Sequence, residues 1–321
     1  MRDTDYAFCV ARLRANERYL LTEKDMQQLI ESSDYENALK ILAEKKWITT
    51  EETISECISA QNKKLWELLS ECVPDKAKLS ILCTVNDFFN IKAAVKCHFT
   101  STDASDFFIF PTSLDTAALI DNVNSHQFDR IGGIMGECAE NSYKAACMTE
   151  NGQNADIIID AAAVTTLKRH GDKNKDSLLG DVCAFICDTA NIKTAYRCAR
   201  TNKGKDFIET AIGECCFLNR NLLIKSALSG EEELSAYLTK TSYKDIAETY
   251  VRSSAEFEKK CDDDIIGLIR KAKYTAFGFD PVCAYYYAKL NEIKSVRIIL
   301  AGLKAGADDK IITERVRALY V

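Results

Sequence analysis

The sequence reads as all-α throughout, for three reasons. Apolar residues recur at i, i+3, i+4 and i+7 along most of the chain, the period of one helix face. Three prolines and thirteen glycines in 321 residues leave too little turn chemistry for a β-rich protein. The apolar–polar alternation of a half-buried strand is absent over any useful length.

The elements follow in order. Thr22 is placed to cap "EKDMQQLIES", with Asp25 three residues later and Met26, Leu29 and Ile30 on one face. Ser33 or Asp34 starts "YENALKILAEKKW", where Tyr35, Ala38, Leu39 and Leu42 keep the helical spacing. Thr50 opens a longer helix whose face runs through Ile54, Cys57, Ile58, Leu65, Leu68, Leu69 and Cys72 until Pro74 breaks it. Three apolar helices then recur, "AKLSILCTVND", "LGDVCAFICDTA" and "DPVCAYYYAKLNE", with Cys83, Cys183 and Cys283 inside them. The last residues, "IITERVRALYV", set Ile311, Ile312, Val316 and Leu319 at helical spacing.

Each apolar helix precedes a shared phrase. "DFFNIKAAVKC" (Asp87–Cys97) returns 101 residues later as "DTANIKTAYRC" (Asp188–Cys198), with six of eleven positions identical. A fainter copy, "KLNEIKSVRII" (Lys289–Ile299), keeps Ile293 and Lys294 in place. Behind the first two copies stands a second shared element, "LIDNVNSHQFDRIGGI" and "ELSAYLTKTSYKDIAE", which sets Phe128 or Tyr243 after a polar break. The same element opens the chain as "QLIESSDYENALKIL", with Tyr35. The expected organisation is therefore three similar helical units around a pseudo-threefold axis: 1–60 with 270–321, then 61–165, then 166–269. The first unit is closed by both ends of the chain, which would cover apolar flanks that an open helical repeat must cap.

Composition narrows the role. Hydrophobic residues make up 47%, enough for a large core, and no apolar run approaches the ~20 residues that span a bilayer. The start, "MRDTDYAFCV", has acids where a signal peptide needs bases, so a soluble, cytoplasmic chain is expected. Fourteen cysteines sit mostly at apolar helical positions and read as free core thiols. A net charge of −6 gives no footprint for general nucleic-acid binding. Bases cluster locally, with seven Lys/Arg against four Asp/Glu from Lys289 to Val321, and Arg12, Arg14 and Arg18 near the start.

Several stretches imitate chemistry. Asp172, Asn174 and Asp176 open like a calcium loop, but Ser177 stands where glycine belongs and Cys183 where glutamate belongs. "IGGIMGE" lacks the Lys-Ser/Thr of a phosphate loop and reads as a helix end. His98, His126 and His170 are far apart in sequence, and Cys183, Cys187, Cys215 and Cys216 match no zinc spacing. Asp262, Asp263 and Asp264 precede an apolar run and read as a helix N-terminus complementing its dipole. No nucleophile, base and oxyanion donor assemble, and neither a cofactor nor a metal is expected.

The chain's two end segments carry a resemblance. "YAFCVARLRANERYLLTEKDMQQLIESSDYENALKIL" (Tyr6–Leu42), with Arg14, Glu17, Leu20 and Leu21, resembles the opening of the C subunit of V/A-type rotary ATPases, called d in eukaryotes. "AYYYAKLNEIKSVRIILAGLKAGADDKIITERVRALYV" (Ala284–Val321) resembles that family's end through Glu292, Arg297, Lys304, Ile311, Arg315 and Tyr320. It departs where relatives carry two acids and this chain has Asn291-Glu292. The resemblance implies a non-catalytic rotor part: a helical funnel on the cytoplasmic face of the membrane proteolipid ring, with the central shaft subunits D and F entering its cavity. The competing class, a soluble helical-repeat scaffold that binds other proteins, has repeats of about 34 to 47 residues, far shorter than the period here. For partner contacts the repeat singles out Lys92, Lys193 and Lys294 at one phase, with Lys96, Arg197 and Arg297 beside them. Either they are solvated helix faces, or they collect into a basic ring that seats acidic rotor segments.

Overall fold

The computed structural model describes residues 2–32, 34–48, 53–148 and 152–321, and among these every regular element is helical. The α-helices are α1 (Ala7–Glu17), α2 (Glu23–Ile30), α3 (Tyr35–Glu44), α4 (Ile54–Cys72), α5 (Lys76–Ile81) and α6 (Thr84–Thr100). Next come α7 (Thr116–Asn124), α8 (Gly133–Met148), α9 (Gly152–Lys173), α10 (Leu178–Arg200), α11 (Lys205–Ala211) and α12 (Arg220–Ser229). The remainder are α13 (Glu231–Leu238), α14 (Lys244–Arg252), α15 (Ser254–Ile269), α16 (Asp280–Lys304) and α17 (Asp309–Arg315). Among the described residues no helix is long and apolar enough to cross a membrane.

Local chemistry sets the helix bounds. Thr22 Oγ1 accepts from the Asp25 amide at 3.3 Å, and the Asp25 carboxylate accepts from the Thr22 amide at 2.8 Å, so two otherwise orphaned donors are satisfied at the start of α2. Asp34 caps α3 through the Asn37 amide. Thr53 caps α4 in the same reciprocal way with Glu56, so that helix starts after the expected Thr50; Thr50 and Ser33 lie outside the described residues. The helix stops at Cys72, before Pro74, as the proline requires. Gly132 turns the chain at φ 81° into α8, and a Cβ on Gly136 would lie 2.3 Å from the Phe128 carbonyl oxygen.

The chain forms two units. One comprises 1–79 together with 249–321, the other 80–248. In the first, α16 is the central helix and α1, α2, α3, α4, α15 and α17 pack against it. Its Val296, Ile299 and Leu300 are fully buried among Leu29, Leu42 and Cys57, each large side chain contributing about 1.5–3 kcal/mol by burial. In the second unit α9 packs against α6, α8, α10 and α11, while α12 and α13 cover α10. Phe88, Ile91 and Ala139 meet Leu119, Val123 and Ile159 in one of its cores.

Three local expectations change. In the second and third copies, the apolar stretch and the phrase are one continuous helix, α10 and α16; only the first copy breaks, between α5 and α6. Asp262, Asp263 and Asp264 do not begin a helix. They lie in the middle of α15, which Ser253 caps through the Glu256 amide. Finally, α17 ends at Arg315 and 316–321 run without helix, so Val316 and Leu319 do not continue a helical face. Ile312 and Leu319 are buried, but Ile311 is exposed.

Candidate partner-binding surface

The recurring phrase is a backbone clasp. Asp87 and Asn90 sit one turn apart on α6 and face the same way. Asp87 Oδ1 accepts from Thr112 Oγ1 at 2.5 Å and the Ser113 amide at 2.8 Å, and its Oδ2 accepts from Ser113 Oγ at 2.5 Å. Asn90 closes both polar groups of one residue: its Oδ1 accepts from the Ile109 amide at 2.7 Å, and its Nδ2 donates to the Ile109 carbonyl at 3.0 Å. Burial pushes the Asp87 carboxyl up, against the pull of the Ser113 and Thr112 donors.

The second copy repeats this on a different loop. Asp188 accepts from the amides of Cys216 and Phe217, each at 2.8 Å, and from Tyr243 Oη at 3.0 Å. Asn191 Oδ1 accepts from the Gly213 amide and its Nδ2 donates to the Glu214 carbonyl, both at 3.0 Å. Tyr243, the aromatic of the second shared element, is held by this clasp, and burial followed by the Asp188 charge pushes its phenol well above the usual tyrosine range. Irregular backbone needs such partners, because an unpaired buried N–H or C=O is costly.

On α16 two adjacent residues, Glu292 and Asn291, each grip a different segment. Glu292 accepts from the Leu21 amide at 2.6 Å, Trp47 Nε1 at 2.7 Å and Lys289 Nζ at 2.5 Å. Asn291 Nδ2 donates to the Ala318 carbonyl at 2.9 Å, while the Ala318 amide donates to Asp263 at 2.6 Å. Arg270 donates to the Leu319 carbonyl at 2.7 Å, and Lys259 donates to that of Val316. The acidic run of α15 therefore holds 316–320, and its acids stand opposite a segment that helical periodicity does not register.

The six sequence-selected bases fall into distinct settings. Lys92 and Lys96 on α6 pair with Asp160 (2.5 Å) and Asp156 (2.8 Å) on α9. Both acids border a surface cleft of about 380 Å³ with Arg197, Lys203, Gln153 and Phe207. Asp156 Oδ1 is buried there without a partner among the described residues. Lys193 is half-buried, and Arg197 and Arg297 are exposed. Lys294 pairs with Asp262 at 2.6 Å, where Arg317 Nε also binds at 3.0 Å. So Lys92 and Lys96 pair with the acids of α9, Arg197 lines the cleft those acids border, and Lys294 joins the clasp of 316–320.

Two groupings had no spacing signal. Ligand atoms of Cys187, Asp188 and Cys216 lie within 4.8 Å of one another. The hydrogen bonds of Asp188, and one from Cys187 Sγ to the Glu214 carbonyl at 3.2 Å, account for the cluster without an ion. His98 and His126, distant in sequence, have ring centroids 5.5 Å apart and pack with Tyr143. The calcium-like stretch is a turn between α9 and α10: Asp172 pairs with Lys168 at 2.5 Å, and Ser177 caps α10.

The buried carboxylates and amides of this all-helical chain thus hold its own loops, and charge lies on its helix faces. The chain matches the model of the ATP synthase (C/AC39) subunit family over residues 9–315 and belongs to that family. It is similar to the C-type subunit of the V-type sodium ATPase of Enterococcus hirae, at 22% identity over 326 residues, covering 96% of this chain and 97% of that protein.

Proposed function

We propose that this chain is a non-catalytic central-stalk rotor subunit of a V/A-type ATPase. It connects the membrane proteolipid ring to the central shaft, subunits D and F, and transmits torque between ion transport and ATP synthesis or hydrolysis. The observation that carries this reading is the family match along nearly the whole chain. Three similar helical units in a pseudo-threefold funnel, at the cytoplasmic face of the membrane, are the architecture this reading requires.

Within it, Lys92, Lys96, Lys193, Arg197, Lys294 and Arg297 are the residues proposed to meet partners. Three of them already pair with acids of this chain. A partner's acidic segment must therefore exchange with Asp160, Asp156 or Asp262 there, whereas at the exposed Arg197 and Arg297 it docks onto a solvated guanidinium. Several such contacts in parallel resist slipping better than one.

Co-sedimentation of the purified chain with proteolipid rings and with the shaft subunits tests both levels. Wild type should bind both. Lys193→Glu with Arg297→Glu should dissociate at moderate salt with an unchanged circular dichroism spectrum. Wild type that binds neither partner removes the functional reading; a double variant that binds like wild type across a salt titration removes only the basic site.

A further inference from the structure

Cys9 on α1 and Cys72, the last residue of α4, bring their sulfurs to 3.1 Å. Both residues are buried, at 1% and 7% exposure. A disulfide needs the sulfurs at about 2.05 Å, so a further approach of about 1 Å closes the bond. The two helices are already fastened beside the thiols: Arg12, one turn along from Cys9, pairs with Glu71, the neighbour of Cys72, at 2.7 Å. Arg12 is half-buried and Glu71 exposed, so this fastening lies toward the surface from the buried sulfurs.

The pair is chemically asymmetric. The hydrogen bond between the two sulfurs, with the charges of Arg12 and Lys76 acting in the same direction, pulls the Cys72 thiol below the usual range. The Cys9 thiol is pushed up, through that same hydrogen bond and through burial. One sulfur is set to attack and the other to resolve, a division of labour that a lone core thiol lacks.

We propose that Cys9 and Cys72 form a modification site, a dithiol that hydrogen peroxide converts to a disulfide stapling α1 to α4. The Cys72 thiolate attacks one peroxide oxygen, the O–O bond breaks, and the departing hydroxide takes up a proton as water. The resulting sulfenic acid is attacked by Cys9 sulfur. The S–O bond breaks, the S–S bond forms, and the Cys9 proton leaves with the hydroxyl as a second water. Two thiols and one peroxide become one disulfide and two waters. Peroxide suits a buried pair because it is small. The staple joins two helices that both pack on α16, and a dithiol reductant reverses it.

The test uses the full chain, reduced and then titrated with hydrogen peroxide, quenched by alkylation and mapped by mass spectrometry without reductant. A peptide joining Cys9 to Cys72, lighter by two hydrogens and cleaved by dithiothreitol, is expected. It should form about tenfold faster than any cross-link between cysteines whose sulfurs are not paired in the structure; Cys187 with Cys216, where the Cys216 thiol is likewise lowered by its partner, is a second pair expected to respond. Cys9→Ser should instead accumulate a sulfenic acid on Cys72 that dimedone traps. Should Cys9 and Cys72 remain fully alkylatable while the exposed Cys147 oxidises, or should cross-links scatter among many pairs, the site is overturned. The wild-type map decides the matter even if a variant folds poorly.

Discussion

Asp188 is fully buried and serves three donors from two segments, the amides of Cys216 and Phe217 and the hydroxyl of Tyr243. Asp188→Ala leaves all three donors without their acceptor and should cost about 1–3 kcal/mol or more, read from urea unfolding. Asn191→Ala frees one amide and one carbonyl and should cost about 1–3 kcal/mol in the same measurement. Cys83, Cys183 and Cys283 are also buried, but each is a small side chain, so alanine at each should cost only about 1 kcal/mol. His170 gives a pH signature. Burial, then the charge of Lys173, holds its imidazole below the ordinary value of 6.5, so the unfolded chain takes up this proton first. Its contribution is constant above about pH 6.5 and is lost as pH falls below it toward the folded value. Thermal midpoints at pH 7 and pH 5 should diverge less in His170→Gln than in wild type.

Among the elements, α16 with 316–320 makes the clearest case. Removal of 317–321 leaves Asp263, Asn291 and Arg270 without their backbone partners and takes away the buried Leu319 and Tyr320. The shortened chain should lose stability by several kcal/mol, whereas Ile311→Ala, at an exposed position of α17, should change it by less than about 0.5 kcal/mol. Denaturant midpoints compare the two. What the sequence disclosed here follows from the range of its signals. Thr22 with Asp25 and the stop at Pro74 are local, so the starts and ends they govern were legible. The phrase itself was legible as a repeat, but its role was not, because Asp87, Asp188 and Glu292 hold backbone amides, which carry no side-chain signature, together with side chains distant in sequence. Asp262 and Asp263 were misplaced for the same reason: they hold Lys294, Arg317 and the amide of Ala318, far along the chain, while Asp264 pairs with Lys260 one turn away. The candidate bases were visible as a period, while the acids that pair with them on α9 and α15 were not.

For the molecule as a body, the first unit is discontinuous, 1–79 with 249–321, and the second is one uninterrupted stretch, 80–248. A fragment of 80–248 should fold alone with a cooperative transition, while 249–321 should stay unfolded until 1–79 is added, because α16 then lacks α1 to α4; calorimetry of the separate and mixed fragments reads this. The clasps carry one more implication, for redesign. An amide that grips a peptide group is indifferent to the side chain that residue bears, and Asn90 and Asn191 hold Ile109 and Glu214 in this way, both with side chains turned to the exposed side. New recognition side chains can therefore be written at these outward positions and at the exposed Phe110 and Phe217. Thr112, Ser113 and Gly213 must stay, because the clasp uses the two hydroxyls and a Cβ on Gly213 would lie 2.9 Å from the Ala161 carbonyl oxygen.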